Sequence, residues 1–178
     1  MTYMSIRVEI TSRCNEGRLV PLAPYLPGLP SVRMIFVSPE LYALVAGPWG
    51  DKEIEHRANR LRADFDMFIT GSVISVGQDP YKKKKNAYMS SLDPTEDEVW
   101  EIRSRDPKPG IRVFGRFTER DVFVALNWAH RDKLGGPQSR EFRDERERCK
   151  AEWRKLFPSY APHTGATPDD YISNIFLV

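Results

Sequence analysis

The chain has 178 residues, 40% of them hydrophobic and 29% charged, and 27 Lys and Arg against 25 Asp and Glu leave a formal charge of only +2. That length suits one domain, the charge content argues against a membrane protein, and no apolar run approaches the roughly 18 residues a membrane-spanning helix needs. Cys14 and Cys149 stand far apart without CxxC spacing, and the chain does not open on a basic then apolar leader, so a cytoplasmic protein of bacterial, plasmid or phage type, without a zinc site or secretion signal, is expected.

"SIRVEI" alternates Ile6, Val8 and Ile10 and predicts a strand. "VPLAPYLPGLP" carries four prolines, which exclude regular helix and favour an extended connection. "VRMIFVS" reads as a short buried strand, and "SPELYALVAG" as a helix with Ser38 as cap and Pro39 at its first position. Residues 1–50 are read as an N-terminal β/α extension packed on the core, too small for a secure core of their own.

From Asp51 the apolar residues Ile54, Ala58, Leu61, Phe65 and Phe68 step by four and three, as one stripe of an amphipathic helix stopped by Gly71. "YKKKKNAY" follows, a basic run between aromatics, then the acidic stretch "DPTEDE". Three strand-like segments come next. "VWEIRSR" puts Trp100 and Ile102 on one face and Glu101, Arg103 and Arg105 on the other. After the turn "DPKPG", "IRVFGRF" sets Ile111, Val113 and Phe117 against Arg112, Phe114 and Arg116. "TERD" is a hairpin connection, and "VFVALNW" aligns Val122, Val124, Leu126 and Trp128. The pattern predicts an antiparallel meander whose arginines share one face.

A last helix begins at Ser139, with Phe142, Cys149, Trp153 and Leu156 as its stripe and Pro158 at its end. Residues 158–178 form a tail ending in "ISNIFLV", read either as a final strand or as a segment docked across the core. No internal repeat is visible. The expected fold class is α+β, a small antiparallel sheet packed against helices.

No Walker loop, GxGxxG, HExxH, GxSxG or EF-hand pattern is present. Asp169 and Asp170 are adjacent and suit loop or cap chemistry better than paired acid/base work. His56 and His163 read as surface residues, and Cys149, on an apolar stripe, as structural. The arginine face remains. One account lets Arg103, Arg105, Arg112 and Arg116 cover the solvent side of the sheet with their stems and pair with Glu101 and Asp121, although exposed pairs contribute only about 0–1 kcal/mol each. The other is an anion site, in which guanidinium forks hold phosphate and Phe114, Tyr81, Tyr88 or Trp128 stack on unpaired bases.

A helix, a loop, the strand "VWEIR", a turn, "IRVFGRF", a hairpin and "VFVALNWAHRDK" before a last helix resemble the RelE/HigB superfamily of toxin–antitoxin ribonucleases over residues 51–157. The resemblance implies a small antiparallel sheet on helices. Its implied activity is metal-independent mRNA cleavage, on the ribosome in the usual case, without a cofactor and with a protein antitoxin as partner. In such cleavage the 2′-hydroxyl attacks phosphorus, so a proton must leave it and another must reach the departing oxygen. Carried onto this chain, the resemblance gives Arg112 and Arg116 to the phosphate, Arg103 to positioning, and His130, or Lys133 if crowding by like charge lowers its pKa, to proton transfer. Arg105, Phe114, Arg131 and the lysines Lys82, Lys83, Lys84 and Lys85 would complete substrate binding. The chain departs from the family at Gly115, where an aromatic or polar residue is usual, and at Asp132, which interrupts the basic pair Arg131 and Lys133. A binding module on the same scaffold, docking to nucleic acid or a host protein without cutting, is the alternative.

Overall fold

The computed structural model describes residues 5–77 and 86–178. Among these residues four helices and eight strands form an α+β structure: α1 (Ile6–Asn15), β1 (Val20–Pro21), β2 (Met34–Val37), α2 (Pro39–Ala46), α3 (Lys52–Ile69), β3 (Ile74–Gly77), β4 (Met89–Ser91), β5 (Trp100–Ser104), β6 (Ile111–Glu119), β7 (Val122–His130), α4 (Arg140–Leu156) and β8 (Ile175–Leu177). The strands make one mixed sheet in the order β1-β2-β7-β6-β5-β4-β3-β8. The predicted meander β5-β6-β7 is its antiparallel centre. Parallel pairings of β2 with β7, β3 with β4 and β3 with β8 widen it. The sheet is therefore larger than the small antiparallel one expected, because strands from the first fifty residues and from the tail extend it on both sides. Among the described residues no helix is long and apolar enough to cross a membrane.

Both faces of the sheet are covered. On one, α2 and α3 bury Leu41, Val45, Leu61, Phe65 and Phe68 against Ile35, Ile102, Val113 and Phe123. On the other, α1 and α4 bury Ile10, Phe142, Cys149 and Trp153 against Phe36, Phe114, Val124 and Leu126. The predicted helix stripes are the buried ones, except that Ile54, in the first turn of α3, stays 41% exposed. Caps fall where the side chains demand them. Ser38 Oγ accepts from the Leu41 amide, Asp51 from those of Glu53 and Ile54, and Ser139 from that of Phe142.

Two local expectations are overturned. "SIRVEI" opens a helix: Ser5 caps it through the Arg7 amide, and Arg13 pairs with Glu9 and Glu16 at helical spacing. Only Ile10 of its three alternating apolar residues is buried. In β7, Trp128 does not align with Val122, Val124 and Leu126. Phe114 faces Asn127 while Gly115 faces Ala125, so Leu126 is an extra residue and the pleat parity flips. Gly115 permits that bulge, since a Cβ there would lie 2.3 Å from the Val124 carbonyl oxygen and 2.5 Å from the Phe123 ring.

Candidate functional site

Arg103 and Arg112 stand directly opposite each other on β5 and β6, and Glu101, Phe114 and Arg116 share their face. The predicted parity holds, but the face is not open to solvent. Helix α4 lays Phe142 edge-on to Phe114, reaches Asn127 from Glu145, and places Trp153 at Arg116. It covers the sheet from Phe114 toward Arg116 and leaves the Arg103–Arg112 row to the loops at the opposite strand ends.

Arg116 is therefore not a phosphate ligand of that row. It is only 8% exposed, donates to the Asp97 carbonyl, and holds its guanidinium 5.5 Å from the centroid of the Trp153 ring. Burial depresses its pKa, partly offset by Asp97 and Glu98. Phe114 is fully buried, Tyr88 is buried with its hydroxyl donating to the Asp64 carbonyl, and Trp128 meets the His130 ring edge-on. Phe114 and Tyr88 offer no free face for stacking on a base, and Trp128, half-buried, lies on the α3 face of the sheet, away from Arg112. Tyr81 and Lys82 to Lys85 lie outside the described residues.

At the uncovered end the remaining arginines converge. Glu101, 2% exposed, sits between two of them: Arg103 Nε donates to its Oε1 at 2.6 Å, and Arg112 Nε approaches its Oε2 at 3.4 Å. Arg103 also donates to Ser90 Oγ at 2.8 Å. Beyond this row a cleft of about 660 Å³ is lined by Arg105, Lys108, Pro109, Gly110, Arg112, Arg131 and Asp132. Arg105 is anchored on the Ala87 carbonyl, and Arg131 on those of Leu134 and Gly135. The turn tolerates only glycine at position 110, where a Cβ would lie 2.5 Å from the Ser104 carbonyl oxygen.

The electrostatics follow from the crowding. The lining sets four cations, Arg105, Lys108, Arg112 and Arg131, against the carboxylate of Asp132, while Glu101 acts on Arg112, and Asp106 and Asp64 on Arg105, from outside it. Burial lowers the Arg112 pKa to about 10; Glu101 works against that, while Arg103, Arg131 and Arg105 add to it. Arg105 is lowered for the same first reason, burial, with Arg103 next. Arg105 and Arg112 both remain cationic near neutrality, and an incoming anion would relieve the repulsion among the clustered guanidinium groups.

No family model, curated protein or solved structure matches this chain. The likeness to RelE/HigB toxins thus rests on the sequence motifs alone.

The two candidates for proton transfer do not line the cleft. His130 lies opposite Ile111, which puts its ring on the α3 face of the sheet, against Trp128, while Arg112 lies opposite Ala129 and faces the other way. Burial and Arg57 push the His130 imidazole below its usual pKa. Lys133 is exposed on the short 3₁₀ turn Arg131–Lys133. Among the described residues no three His, Cys, Asp or Glu side chains gather as a metal-binding group. Of the residues named from the sequence, Arg105, Arg112 and Arg131 border one cleft with Arg103 beside Arg112, whereas Lys108, which also lines it, was not named. The E-x-R spacing of Glu101 and Arg103, with Arg112 on the next strand, was the available signal for a shared carboxylate.

Proposed function

We propose that the chain is a nucleic-acid-docking module that grips the phosphate backbone in the cleft of Arg105, Arg112 and Arg131, and does not cut it. The observation that carries this reading is the surplus of positive charge on buried and half-buried guanidinium groups around one cleft. A phosphate seated there would accept charge-assisted hydrogen bonds from forks already held in place by Glu101 and by backbone carbonyls. Backbone gripping also suits a site whose lining, among the described residues, holds no aromatic side chain. Cleavage is the less favoured reading. Among the described residues no histidine or cysteine lines the cleft, and the imidazole of His130 belongs to the other face.

The test is binding of a fluorescent single-stranded RNA at low salt, followed by electrophoresis of the same RNA. The wild-type protein is expected to bind and leave the strand intact. Arg105→Ala combined with Arg131→Ala, with the fold checked by circular dichroism, is expected to weaken binding at least about tenfold. Cut strands would replace docking by the nuclease reading. Failure to bind at low salt would remove both.

A further inference from the structure

Three arginines reach the cleft from three different elements: Arg105 just past the end of β5, Arg112 near the start of β6, and Arg131 at the head of the 3₁₀ turn after β7. All three are half-buried, whereas Lys108 and Asp132 in the same lining are exposed. The arginines are close enough to feel one another, since Arg131 and Arg105 both act against the charge on Arg112.

Each guanidinium is pinned along one edge and keeps donors on another. Arg105 Nη2 donates to the Ala87 carbonyl at 2.8 Å, and Arg131 Nη1 to the carbonyls of Leu134 and Gly135. Arg112 Nε lies 3.4 Å from Glu101 Oε2, and its Nη1 lies 3.4 Å from the Ile111 carbonyl oxygen. Among the described residues that leaves Arg105 Nε and Nη1, Arg112 Nη2, and Arg131 Nε and Nη2 without a hydrogen-bond partner. A guanidinium held by one edge has lost much of its rotamer freedom before any ligand arrives, so its remaining donors bind at a lower entropic cost.

The chemistry of the lining decides between two kinds of phosphate. An internal phosphodiester brings one negative charge and two unbridged oxygens. A terminal monoester brings about −1.5 to −2 charges near neutral pH and three acceptor oxygens. Four lining cations stand against the single lining carboxylate of Asp132, so the monoester answers more of that surplus and gives each of the three arginines an oxygen of its own. Among the described residues the lining holds no hydroxyl, amide or aromatic side chain with which to read a sugar or a base. We propose that this cleft receives the end of a nucleic-acid strand, its terminal phosphate monoester shared among Arg105, Arg112 and Arg131. The inference rests on the phosphate reading above and narrows it from any point along the backbone to a phosphorylated terminus, 5′ or 3′.

The test compares short RNAs of one sequence that end in hydroxyls, in a 5′-phosphate or in a 3′-phosphate, by the anisotropy of an internal fluorophore at low salt. A hydroxyl-ended RNA longer by two diester links matches the charge of the phosphorylated strands and removes bulk charge as the cause of any difference. At least one phosphorylated form is expected to bind about tenfold or more tightly than that control. Arg131→Gln is expected to erase most of the gain, and the wild-type comparison stands even if this variant fails to fold. Equal binding of all the strands overturns the proposal and leaves backbone docking in place, whereas no binding of any strand removes both. A gain that survives Arg131→Gln in a folded protein puts the terminal phosphate elsewhere and overturns it too. So does a 5′-mononucleotide that competes as well as the strand, which would assign the cleft to small phosphate esters.

Discussion

Glu101 and Asp64 illustrate two fates of a buried carboxylate, one on the sheet and one on a helix. Glu101 has two guanidinium partners within 3.4 Å and so fixes the geometry of Arg103 and Arg112. Asp64, 4% exposed on α3, pairs with Arg60 at 3.3 Å, and that arginine is itself largely in solvent. Burial consequently raises the Asp64 pKa despite Ser104 and Arg60. The folded chain takes up this proton at a higher pH than the unfolded chain does. The contribution of Asp64 to stability therefore grows as pH falls through its folded pKa and levels off below its unfolded one. Asp64→Asn is accordingly expected to compare more favourably with wild type near about pH 7 than near about pH 4. Denaturant melts at the two values check it, and a pH-independent difference would contradict it.

Among the elements, the C-terminal tail depends on one residue that the sequence did not advertise. Arg33 is fully buried; it donates to the carbonyls of Phe68, Ser72, Ser173 and Asn174 at 2.6–3.2 Å and lies 3.7 Å from Asp121. It ties the end of α3 to the segment that leads into β8, while Asp121 takes the Ser173 amide at 2.7 Å. Arg33→Met is expected to lower stability by about 3–5 kcal/mol, because four carbonyl acceptors and the Asp121 carboxylate lose their guanidinium partner. For a chain of this size that is a fall in Tm of about 6–20 °C. Hydrogen exchange should show β8 opening first, and a variant as stable as wild type would sink the assignment.

Why some elements were legible and others were not also belongs to this scale. Helices α3 and α4 announce themselves because their stripes match their buried faces over many turns. The opening segment misled because three alternating apolar residues also fit one turn and a half of helix, and the Glu9, Arg13 and Glu16 spacing that decides the matter is weak in isolation. The bulge at Leu126 is invisible to alternation, although Gly115 on the partner strand marked a place of close approach.

For the whole molecule, the central lesson is coverage. Pleat parity correctly placed Arg103, Arg112 and Arg116 on one face, but no local pattern could reveal that α1 and α4 would close over it. Parallel pairing of β2 and β8 onto distant strands is equally non-local. The result divides one row of arginines by environment, Arg116 serving the core and the others bordering a cleft.

The claim that this cleft holds a phosphate backbone is tested most directly by the salt dependence of RNA binding. Wild type should lose affinity linearly in a plot of log K against log salt concentration. Replacing Arg105 and Arg131 by alanine together should make that slope shallower by about 1.4, roughly 0.7 for each lost single-strand phosphate contact. An unchanged slope would mean that the two guanidinium groups neutralise no phosphate, and the cleft would lose its assigned role.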